Sequence, residues 1–531
     1  MQPNFLFIIT DQHRADHLGC YGNPIVRTPN IDRIAAEGWR STRFYVANPA
    51  CMPNRATLMT GRMPSVHRVR SNGVPLSLRA STFVELLRAA GYTTACSGKI
   101  HLQPMTGDAP ILKRAADSAR KVPPLALSDA WHTDAQDGPY DQESITKWQN
   151  NQAHDLKLPY YGFEEVHLTM MHADGAHGHY GRWLEEHSPG SNRLVGPEHA
   201  LPGDGISALQ AWRTAVPEEL YSTSYIKEQA VAFLKRQATQ SPEKPFFLQV
   251  SFNDPHHPFT PPGKYWDMYD PRTIPLPAAY RANVGAPPPP LAHLIAERDA
   301  GQSNRESWML QAVSEQDARE AIALTYGSIT MIDDAIGEVL NALQALPPGR
   351  DTVVIFTSDH GDYMGDHQLM FKGPIHYDGL IRVPFIWSDP QLDAQGAASD
   401  ALAGTVDIAA TVLARAGLQP FHGMQGKDLH TVMEGGESDR AAMLVEEDNQ
   451  RSFMGFDRPV RLRTLVTNRW RLSVYRGVDW GELYDLQEDP LELHNRWNDP
   501  ALRSVQAELL HALVQTMEEY ADDSPLPTSR A

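Results

Sequence analysis

Four short apolar runs constrain the fold of this 531-residue chain more than any other feature of its sequence. The runs cover residues 5–9, 92–95, 246–250 and 353–356, and polar residues follow each one directly. Runs of this length and composition predict β-strands. In open parallel sheets, the groups that bind ligands collect beyond the carboxyl ends of the strands. We therefore expect the four endings, although distant in sequence, to converge on one site.

Amphipathic helices are predicted between these strands. Residues 28–38 begin with Thr-Pro and end at glycine, a capping box of Thr82 and Glu85 begins a helix over residues 83–90, and a further helix runs from Thr405 to Gly417. A longer helix carries an apolar stripe that consists of Ile329, Ile332, Ile336, Val339 and Leu343. This alternation favours an α/β fold with a mostly parallel sheet that helices cover on both faces.

The remaining regions differ in texture from this alternating pattern. Residues 103–160 are polar without clear periodicity and residues 271–290 are rich in proline, so both are predicted to be surface insertions. From about Ala441, short alternating stretches at residues 470–475 and 482–486 precede a helix over residues 505–520. We expect two domains: a catalytic α/β domain over residues 1–440, and a small antiparallel subdomain with a terminal helix over residues 441–531.

The charge balance excludes several classes of partner. The chain has 47 Lys and Arg against 65 Asp and Glu, a formal charge of −18, and no block rich in Lys or Arg. Such a chain gains no long-range attraction to nucleic acid or to an anionic membrane, and neither is expected as a partner. An anionic substrate would have to be held by local positive charge.

Cysteine usage and the first residues indicate a compartment. Cys20, Cys51 and Cys96 are too few for a disulfide framework in a chain of this length, which favours a reducing environment. Residues 1–9 show neither a basic region nor a cleavage site of small residues, and no apolar run reaches membrane-spanning length. The expected location is the cytoplasm.

Cys51 is the strongest candidate for a reactive residue. Pro53 near the start and Gly61 near the end of the following stretch predict a helix with Cys51 at its positive amino terminus, where an anion is stabilised. An isolated cysteine is more often a buried structural residue. The flanking residues favour a functional cysteine here.

The string Cys51-Met52-Pro53-Asn54-Arg55 resembles the Cys-x-Pro-x-Arg signature of the sulfatases. Further stretches match that family in order, at residues 9–23, 28–38, 97–101, 254–258, 357–367, 372–384 and 482–490. The resemblance implies an alkaline phosphatase-like fold with a smaller carboxyl-terminal subdomain. It also implies hydrolysis of sulfate monoesters, of small molecules or saccharides, by a formylglycine that a separate maturation enzyme makes from Cys51.

Asp11, Gln12, Asp359 and His360 are expected to bind one divalent metal ion, with residue 51 as a further ligand. Helix capping is the alternative for the two aspartates, but two strand ends with the same chemistry favour a metal. Gln12 and His360 stand where the family usually has a second Asp and an Asn. With this departure the chain also resembles the phosphonate monoester hydrolase branch. Calcium is the preferred metal, and magnesium and manganese remain open.

Five basic residues at matching motif positions are interpreted as an anion clamp: Arg55, Lys99, His101, His256 and Lys372. A lone Lys or Arg is usually a solvated surface group. The resemblance implies that Arg55 and Lys99 steady the nucleophile, that His101 is a base, and that His256 and Lys372 act on the departing oxygen. Lys372 departs from the pattern, because four residues separate it from Tyr377 where many relatives have three.

Other candidate groups have less specific patterns. His172, His177 and His179 match no standard zinc spacing and are predicted to lie on a loop that faces the substrate. His257 could contact substrate or pack in the core, and residues 91–99 fail the spacing of a phosphate-binding loop. Stacking on a sugar or an aryl group is open to Tyr180, Trp183 and Trp212.

Two rival functions remain beside the sulfatase reading. The first is hydrolysis of a phosphonate monoester or phosphodiester, against which Lys99 and His101 argue because phosphonate hydrolases of this superfamily resemble one another in having Tyr and Thr there. The second is a non-catalytic anion-binding relative, which requires Cys51 to stay a thiol. The sequence leaves open the alcohol that carries the sulfate, the metal and the oligomeric state, a homo-oligomer included.

Overall fold

The computed structural model describes residues 2–530 except 113–118, 125–126, 128, 131–137, 152, 204, 283–284 and 348, so parts of both predicted insertions lie outside the described residues. Within the described residues the strands are β1 (Asn4–Thr10), β2 (Trp39–Ser41), β3 (Phe44–Tyr45), β4 (Thr93–Gly98), β5 (Glu165–Met170), β6 (His177–Gly178), β7 (Phe246–Ser251), β8 (Gln311–Ala312), β9 (Thr352–Ser358), β10 (Leu369–Met370), β11 (Phe385–Ser388), β12 (Ala397–Ser399), β13 (Ala403–Gly404), β14 (Ala442–Asp448), β15 (Arg461–Thr467), β16 (Trp470–Tyr475) and β17 (Gly481–Asp485).

The α-helices of the same residues are α1 (Pro29–Glu37), α2 (Cys51–Thr60), α3 (Pro64–His67), α4 (Phe83–Ala89), α5 (Ile145–Asn150), α6 (His179–His187), α7 (Ser222–Gln240), α8 (Ala278–Arg281), α9 (Pro289–Asp299), α10 (Glu315–Gln344), α11 (Asp378–Ile381), α12 (Ile408–Arg415), α13 (His430–Met433) and α14 (Arg503–Glu519). None of these helices combines the length and the apolar character needed to cross a bilayer.

The large sheet contains the four predicted strands as its centre. Its order in the described part of the chain is β12-β2-β11-β9-β1-β7-β4-β5-β6, and the neighbours β9, β1, β7 and β4 are parallel. Almost every residue of these four strands is buried, since helices cover both faces, and this explains why their sequences read as continuous apolar runs. The predicted mostly parallel α/β sheet is confirmed.

Two hydrophobic clusters lie on the opposite faces of this sheet. Along β1, Phe5, Phe7 and Ile9 belong to one cluster, and Leu6 and Ile8 to the other, as the alternation of side chains along a strand requires. The apolar stripe of α10 packs in the second cluster. Helix α4 begins with the predicted capping box, and the predicted helices correspond to α1, α4, α10 and α12.

The carboxyl-terminal region forms a separate small sheet. Strands β14 to β17 are antiparallel neighbours in chain order, and α14 packs against them through Leu509 and Leu513. This confirms the predicted antiparallel region with a terminal helix. The division of the chain at residue 440 stays a prediction, since contacts such as Tyr475 Oη to the Pro374 carbonyl, 3.1 Å, connect the small sheet to the preceding part of the chain.

The segment 103–160 is more than a surface insertion. Glu143, Trp148 and Tyr160 are buried, and the Glu143 carboxylate accepts hydrogen bonds from the backbone N–H groups of His101, Leu102 and Gln103 at 2.8, 2.9 and 3.1 Å. A polar sequence concealed this role, because the buried group is a carboxylate that binds backbone rather than an apolar side chain. The segment therefore fixes the chain beyond β4.

Candidate active site

The carboxyl ends of the central strands meet, as the sequence predicts. Thr10 of β1 is in register with Ser358 of β9, so the next residues, Asp11 and Asp359, lie side by side, and Asp359 N donates to the Thr10 carbonyl at 3.2 Å. Lys99 follows β4, and its backbone N–H donates to the Ser251 carbonyl at the end of β7 at 3.0 Å. Three separate parts of the sequence thereby supply one cluster.

Helix α2 presents Cys51 to this cluster. Every residue of α2 is buried, the helix begins at Cys51 and it ends at Gly61, whose φ of 63° is left-handed. The Asn54 amide donates to the backbone carbonyl of Asp359, which fixes the first turn of α2 against the end of β9. The predicted position of Cys51 at the amino terminus of a helix is confirmed.

The Cys51 thiol lies among positive groups. Its Sγ is 3.0 Å from Lys372 Nζ, 3.1 Å from His360 Nε2 and 3.7 Å from Asp11 Oδ1. Burial opposes ionisation, but Lys372 and Lys99 together hold the pKa of the Cys51 thiol well below its ordinary value. The surroundings of position 51 therefore stabilise an anion.

Arg55 joins the two carboxylates. Its Nε donates to Asp359 Oδ2 at 2.7 Å, its Nη2 lies 3.5 Å from Asp11 Oδ2, and its Nη1 donates to the Lys99 carbonyl at 3.0 Å. Burial alone would lower the pKa of Arg55, but Asp359 and Asp11 raise it, so the guanidinium stays charged. Arg55 holds in place the side chains around Cys51.

The donor atoms of four predicted metal ligands form one cluster. Those of Asp11, Cys51, Asp359 and His360 lie within 4.8 Å of one another. His360 Nδ1 donates to the Gly361 carbonyl at 2.9 Å, which leaves the Nε2 lone pair directed at Cys51. Gln12 donates its amide N–H to Asp362, while its Oε1 is buried without a hydrogen-bond partner among the described residues. An oxygen-rich set with one imidazole fits a divalent cation.

A second group of cationic and imidazole side chains lies beside Asp11. Lys99 Nζ binds Asp11 Oδ2 and lies 2.7 Å from His172 Nε2, and the His172 ring stacks on His256 with 3.5 Å between centroids. Lys372 Nζ lies 2.9 Å from His256 Nε2. The clamp residues predicted from sequence therefore share one site, and His172 joins them.

The protonation of the clamp is uneven. Burial, His172 and Lys372 hold the pKa of His256 well below its ordinary value, so this imidazole is neutral. Burial also opposes the charge of Lys372, but Cys51 and Asp11 raise its pKa, and the ammonium is retained. His256 Nδ1 donates to the His257 carbonyl, which leaves Nε2 as the acceptor for Lys372.

His101 lies on the other side of Cys51. Burial and the nearby Lys99 lower the pKa of His101 to about 3, whereas the proximity of Cys51 opposes that shift. The backbone of His101 has a left-handed φ of 57°, and its N–H is bound by Glu143. A neutral imidazole in a fixed orientation is able to accept a proton at position 51.

The three histidines of the predicted substrate-facing loop separate in the structure. His172 is in the site, whereas His179 Nδ1 accepts from the Leu168 N–H at 2.9 Å and its Nε2 lies 3.0 Å from Asp155. His172 comes just after β5, so it is another strand-end residue, and this signal could have found it. His257 accepts a hydrogen bond from the Gln12 amide at 3.1 Å and packs on Phe371. It therefore helps to position Gln12.

The three aromatic residues considered for substrate stacking already pack or bond within the protein. Tyr180 is fully buried and Trp183 packs against it, while Trp212 Nε1 donates to Asp174 at 2.9 Å. Tyr180 is therefore excluded as a stacking surface. Trp308, which the sequence did not single out, has its ring 5.6 Å from His257 and 6.4 Å from His172.

The chain matches known proteins over nearly its whole length. The sulfatase family model matches residues 3–418, and the model of the carboxyl-terminal region of N-sulphoglucosamine sulphohydrolase matches residues 365–519. An uncharacterised sulfatase, YidJ, of Escherichia coli is 28% identical over 533 residues, 98% of this chain and 88% of the relative. An arylsulfatase of Clostridium perfringens is 27% identical over 526 residues, 98% of this chain and 95% of the relative.

The fold agrees with these sequence matches. The crystal structure of the phosphonate monoester hydrolase of Agrobacterium radiobacter superposes with a TM-score of 0.75 at 25% identity, covering 98% of this chain and 97% of that one. Because the sulfatase family model covers well over half of the chain, this protein belongs to the sulfatase family of sulfuric ester hydrolases.

Proposed function

We propose that the protein hydrolyses sulfate monoesters through a formylglycine made from Cys51 and one divalent cation. The observation that carries this proposal is the position of Cys51 Sγ, at the amino terminus of α2 and within 3.1 Å of both Lys372 Nζ and His360 Nε2. A sulfuryl group beside this atom would lie near the ammonium groups of Lys372 and Lys99 and near the positive end of helix α2. Such local positive charge is what an acidic chain needs to hold an anionic ester.

Two groups beyond the encoded side chains supply the central chemistry. A hydrated formylglycine offers two hydroxyls on one carbon, the first to attack sulfur and the second to release sulfate once it is deprotonated. The cation would be held by Asp11, Gln12, Asp359 and His360, and it would supply Lewis acidity for negative oxygen. The Sγ of Cys51 marks where these hydroxyls would lie. We propose calcium because most of the donors are oxygen, with magnesium and manganese as alternatives.

Lys99, Arg55 and His101 act on the nucleophile in this proposal. Lys99 is hydrogen-bonded to Asp11 and lowers the pKa of position 51, so it favours the ionised nucleophile. Arg55 orients Asp359 through a 2.7 Å hydrogen bond. His101 is neutral and lies close to position 51, so we assign it as the base that accepts the proton when sulfate is released.

The proton for the departing alcohol comes from the pair of Lys372 and His256. His256 is neutral in the site as it stands and therefore needs a source of protons before it can act as an acid. Lys372 holds its proton and lies 2.9 Å from His256 Nε2. A bound sulfate ester adds one negative charge, which favours protonated His256. We assign His256 as the general acid, and Lys372 assists it as a positive charge beside the departing oxygen.

Phosphonate monoester or phosphodiester hydrolysis is the second candidate function. The match to a phosphonate monoester hydrolase with a TM-score of 0.75 favours it, as do Gln12 and His360. The net charge of the substrate does not distinguish the two functions, since a sulfate monoester and a phosphonate monoester or phosphodiester each carry one negative charge. Lys99 and His101 favour sulfate, because they match the sulfatase pattern in place of the Tyr and Thr of the phosphonate branch. A purely anion-binding role would require Cys51 to remain a thiol.

The modification of Cys51 is tested by peptide mass spectrometry after co-expression with a formylglycine-generating enzyme. We expect an aldehyde at Cys51 and unmodified thiols at Cys20 and Cys96, which lack the Pro and Arg of the signature and serve as internal controls. Fully active protein with only a thiol at position 51 would contradict the proposal. Cys51→Ala should abolish turnover and leave the circular dichroism spectrum unchanged, because Ala is tolerated at a helix terminus at modest cost.

The choice of ester is tested with a panel of sulfated sugars, aryl sulfates and phosphonate esters. We expect the highest wild-type kcat/KM on a sulfate ester. A higher kcat/KM on a phosphonate ester than on every sulfate ester would overturn the sulfate assignment and select the second candidate. Cys51→Ala measured on the same panel shows whether any residual turnover comes from a contaminating enzyme.

A further inference from the structure

The mouth of the active site contains one exposed aromatic residue. Asp11, Cys51 and Lys99 are at most 1% exposed, whereas 47% of Trp308 is exposed, more than of any other Phe, Tyr or Trp that the structure describes. An indole of this size normally buries most of its surface, since apolar area in water is unfavourable. A tryptophan held in water beside a charged site therefore points to a ligand.

Trp308 lies beside His172 and His257, next to the residues proposed to act on the departing alcohol. Its ring centroid is 5.6 Å from His257 and 6.4 Å from His172, with interplanar angles of 62° and 50°. The His172 ring stacks on His256, which is hydrogen-bonded to Lys372. When the sulfuryl group of an ester lies at Cys51, its alcohol part would leave along the rings of His256, His172 and Trp308.

The backbone around Trp308 is fixed although it forms no helix or strand. Gln311 Nε2 donates to the carbonyls of Asn304 and Ser307 at 3.2 and 3.3 Å, and Arg305 pairs with Asp317 at 2.7 Å. Leu310 packs on Gly373, the residue after Lys372, where a Cβ atom would come within 2.6 Å of the Leu310 side chain. The backbone that carries Trp308 is thus held in place relative to Lys372, and a preorganised surface binds at lower entropic cost.

We propose that Trp308 forms a ring-binding subsite for the alcohol part of the ester, so that the enzyme selects esters of aryl or pyranose alcohols over inorganic sulfate and small acyclic esters. The proposal rests on the function proposed above. An indole face stacks on an aryl ring and on the C–H face of a sugar, so both share the same recognition chemistry. The polar groups deeper in the site hold the anion.

The test compares wild type, Trp308→Ala and Trp308→Phe with 4-nitrophenyl sulfate, with glucosamine 6-sulfate, and with inorganic sulfate as a competitive inhibitor. Trp308→Ala should lower kcat/KM for a ring ester about 10-fold through KM, equivalent to about 1.4 kcal/mol of stacking. The Ki of inorganic sulfate, which reports the anion pocket alone, should stay unchanged. Trp308→Phe keeps an aromatic face and should stay within about 3-fold of wild type.

The two ring esters distinguish the source of the ring. A loss with 4-nitrophenyl sulfate alone identifies an aryl alcohol, and a loss with glucosamine 6-sulfate alone identifies a pyranose. A loss with both supports the shared chemistry. No loss with either ester, or an equal weakening of inorganic sulfate, would overturn the subsite.

A matched control and a second ester keep the two proposals separate. Trp470 lies on β16 of the small sheet, against Arg469, and Trp470→Ala should leave the ratio of ring ester to inorganic sulfate unchanged. If wild type hydrolyses phenyl phenylphosphonate and no sulfate ester, the sulfatase proposal fails. The subsite is then judged by the effect of Trp308→Ala on that ester against the Ki of inorganic phosphate, with the same outcomes as above.

Discussion

The two sides of the active site are built in different ways. The nucleophile side consists of Asp11, Cys51, Arg55, Lys99 and Asp359, and the alcohol side consists of His172, His256, Lys372 and Trp308. Every member of the nucleophile side is buried and belongs to a strand end or to helix α2. The alcohol side lies on longer loops, and three of its four members are partly or largely exposed. The buried nucleophile side is thus rigid, whereas the alcohol side presents a partly exposed surface to the substrate.

The small sheet supports the loop that carries Lys372. The loop from Lys372 to Asp378 is held by Tyr475 Oη, which donates to the Pro374 carbonyl, and by Glu447, whose Oε2 is 3.0 Å from His376 Nε2. The Asp378 N–H donates to Glu492 at 2.7 Å. The carboxyl-terminal region therefore positions Lys372. Its strand β14 also contacts the segment before Cys51, where the Asn48 amide donates to the Glu446 carbonyl at 2.6 Å.

The largest expected effect comes from breaking the nucleophile side at Asp359. Asp359→Asn removes a carboxylate from the proposed cation site and the charge that pairs with buried Arg55. We expect loss of the bound metal by elemental analysis and a fall in kcat/KM of about 10³-fold. The matched control is Asp407→Asn, which disrupts the buried pair of Asp407 and Arg440 away from the site and should keep the metal. Full metal occupancy in Asp359→Asn would contradict the assignment.

The next effect separates the two sides by leaving group. His256→Ala should lower kcat/KM by about 10²-fold or more for alkyl esters, and far less for 4-nitrophenyl sulfate, whose leaving group needs no acid. His101 is assigned above as the base for sulfate release and gives the contrast. His101→Ala should slow release equally for all esters, so that sulfated enzyme accumulates and is detected by intact-protein mass spectrometry. An equal loss across all leaving groups for His256→Ala would remove its role as an acid.

The sequence predicts the nucleophile side well because two local rules determine it. Strand composition places Asp11, Lys99 and Asp359 at the strand ends, and the Cys-x-Pro-x-Arg motif places Cys51 and Arg55 on one helix. Their convergence then follows from the parallel sheet alone. The same rule applied to β5 would have added His172, but this strand reads Glu-Val-His-Leu-Thr-Met and lacks an apolar run.

The alcohol side could not be predicted in the same way. Trp308 is held by side-chain contacts such as those of Gln311 and Arg305, which depend on where distant elements pack. Glu143 lies in a polar segment whose sequence resembles an insertion, and its role depends on three backbone N–H groups that no pattern reveals. Loop positions set by tertiary contacts leave no periodic signal in the sequence.

A smaller effect tests the support from the small sheet. Tyr475→Phe removes the hydrogen bonds to the Pro374 carbonyl and to the buried Glu482 carboxylate. It should lower kcat/KM several-fold for alkyl esters only, with about 1–2 kcal/mol lost from the free energy of unfolding. Tyr21→Phe is the matched control, since Tyr21 Oη donates to the Ser41 and Phe385 carbonyls in the large sheet at 2.8 and 3.1 Å. It should cost similar stability without changing the preference among leaving groups. The same shift in both variants would mean that Tyr475 does not act through Lys372.

The smallest effect concerns the pH dependence of stability on the two sides. His67, at the end of α3, supports α2 from below: its Nδ1 accepts from the Val69 N–H at 3.2 Å and its Nε2 lies 3.0 Å from Thr57 Oγ1. Burial, together with Arg62, lowers the pKa of His67 to about 3. Burial also lowers the pKa of His376 under the alcohol side, but Glu447 opposes that shift.

A folded-state pKa below the unfolded value means that the unfolded chain takes up the proton first. The stability contributed by neutral His67 is therefore complete above pH 6.5 and is lost as the pH falls towards 3. Between about pH 6.5 and 5.5, wild type should lose about 1 kcal/mol more unfolding free energy than His67→Gln, measured by urea unfolding. His376→Gln should change this slope less, because Glu447 stabilises the protonated imidazole. If the unfolding free energy fell more steeply with decreasing pH in His67→Gln than in wild type, His67 would be protonated in the folded protein. The expected contrast between His67 and His376 would then be wrong.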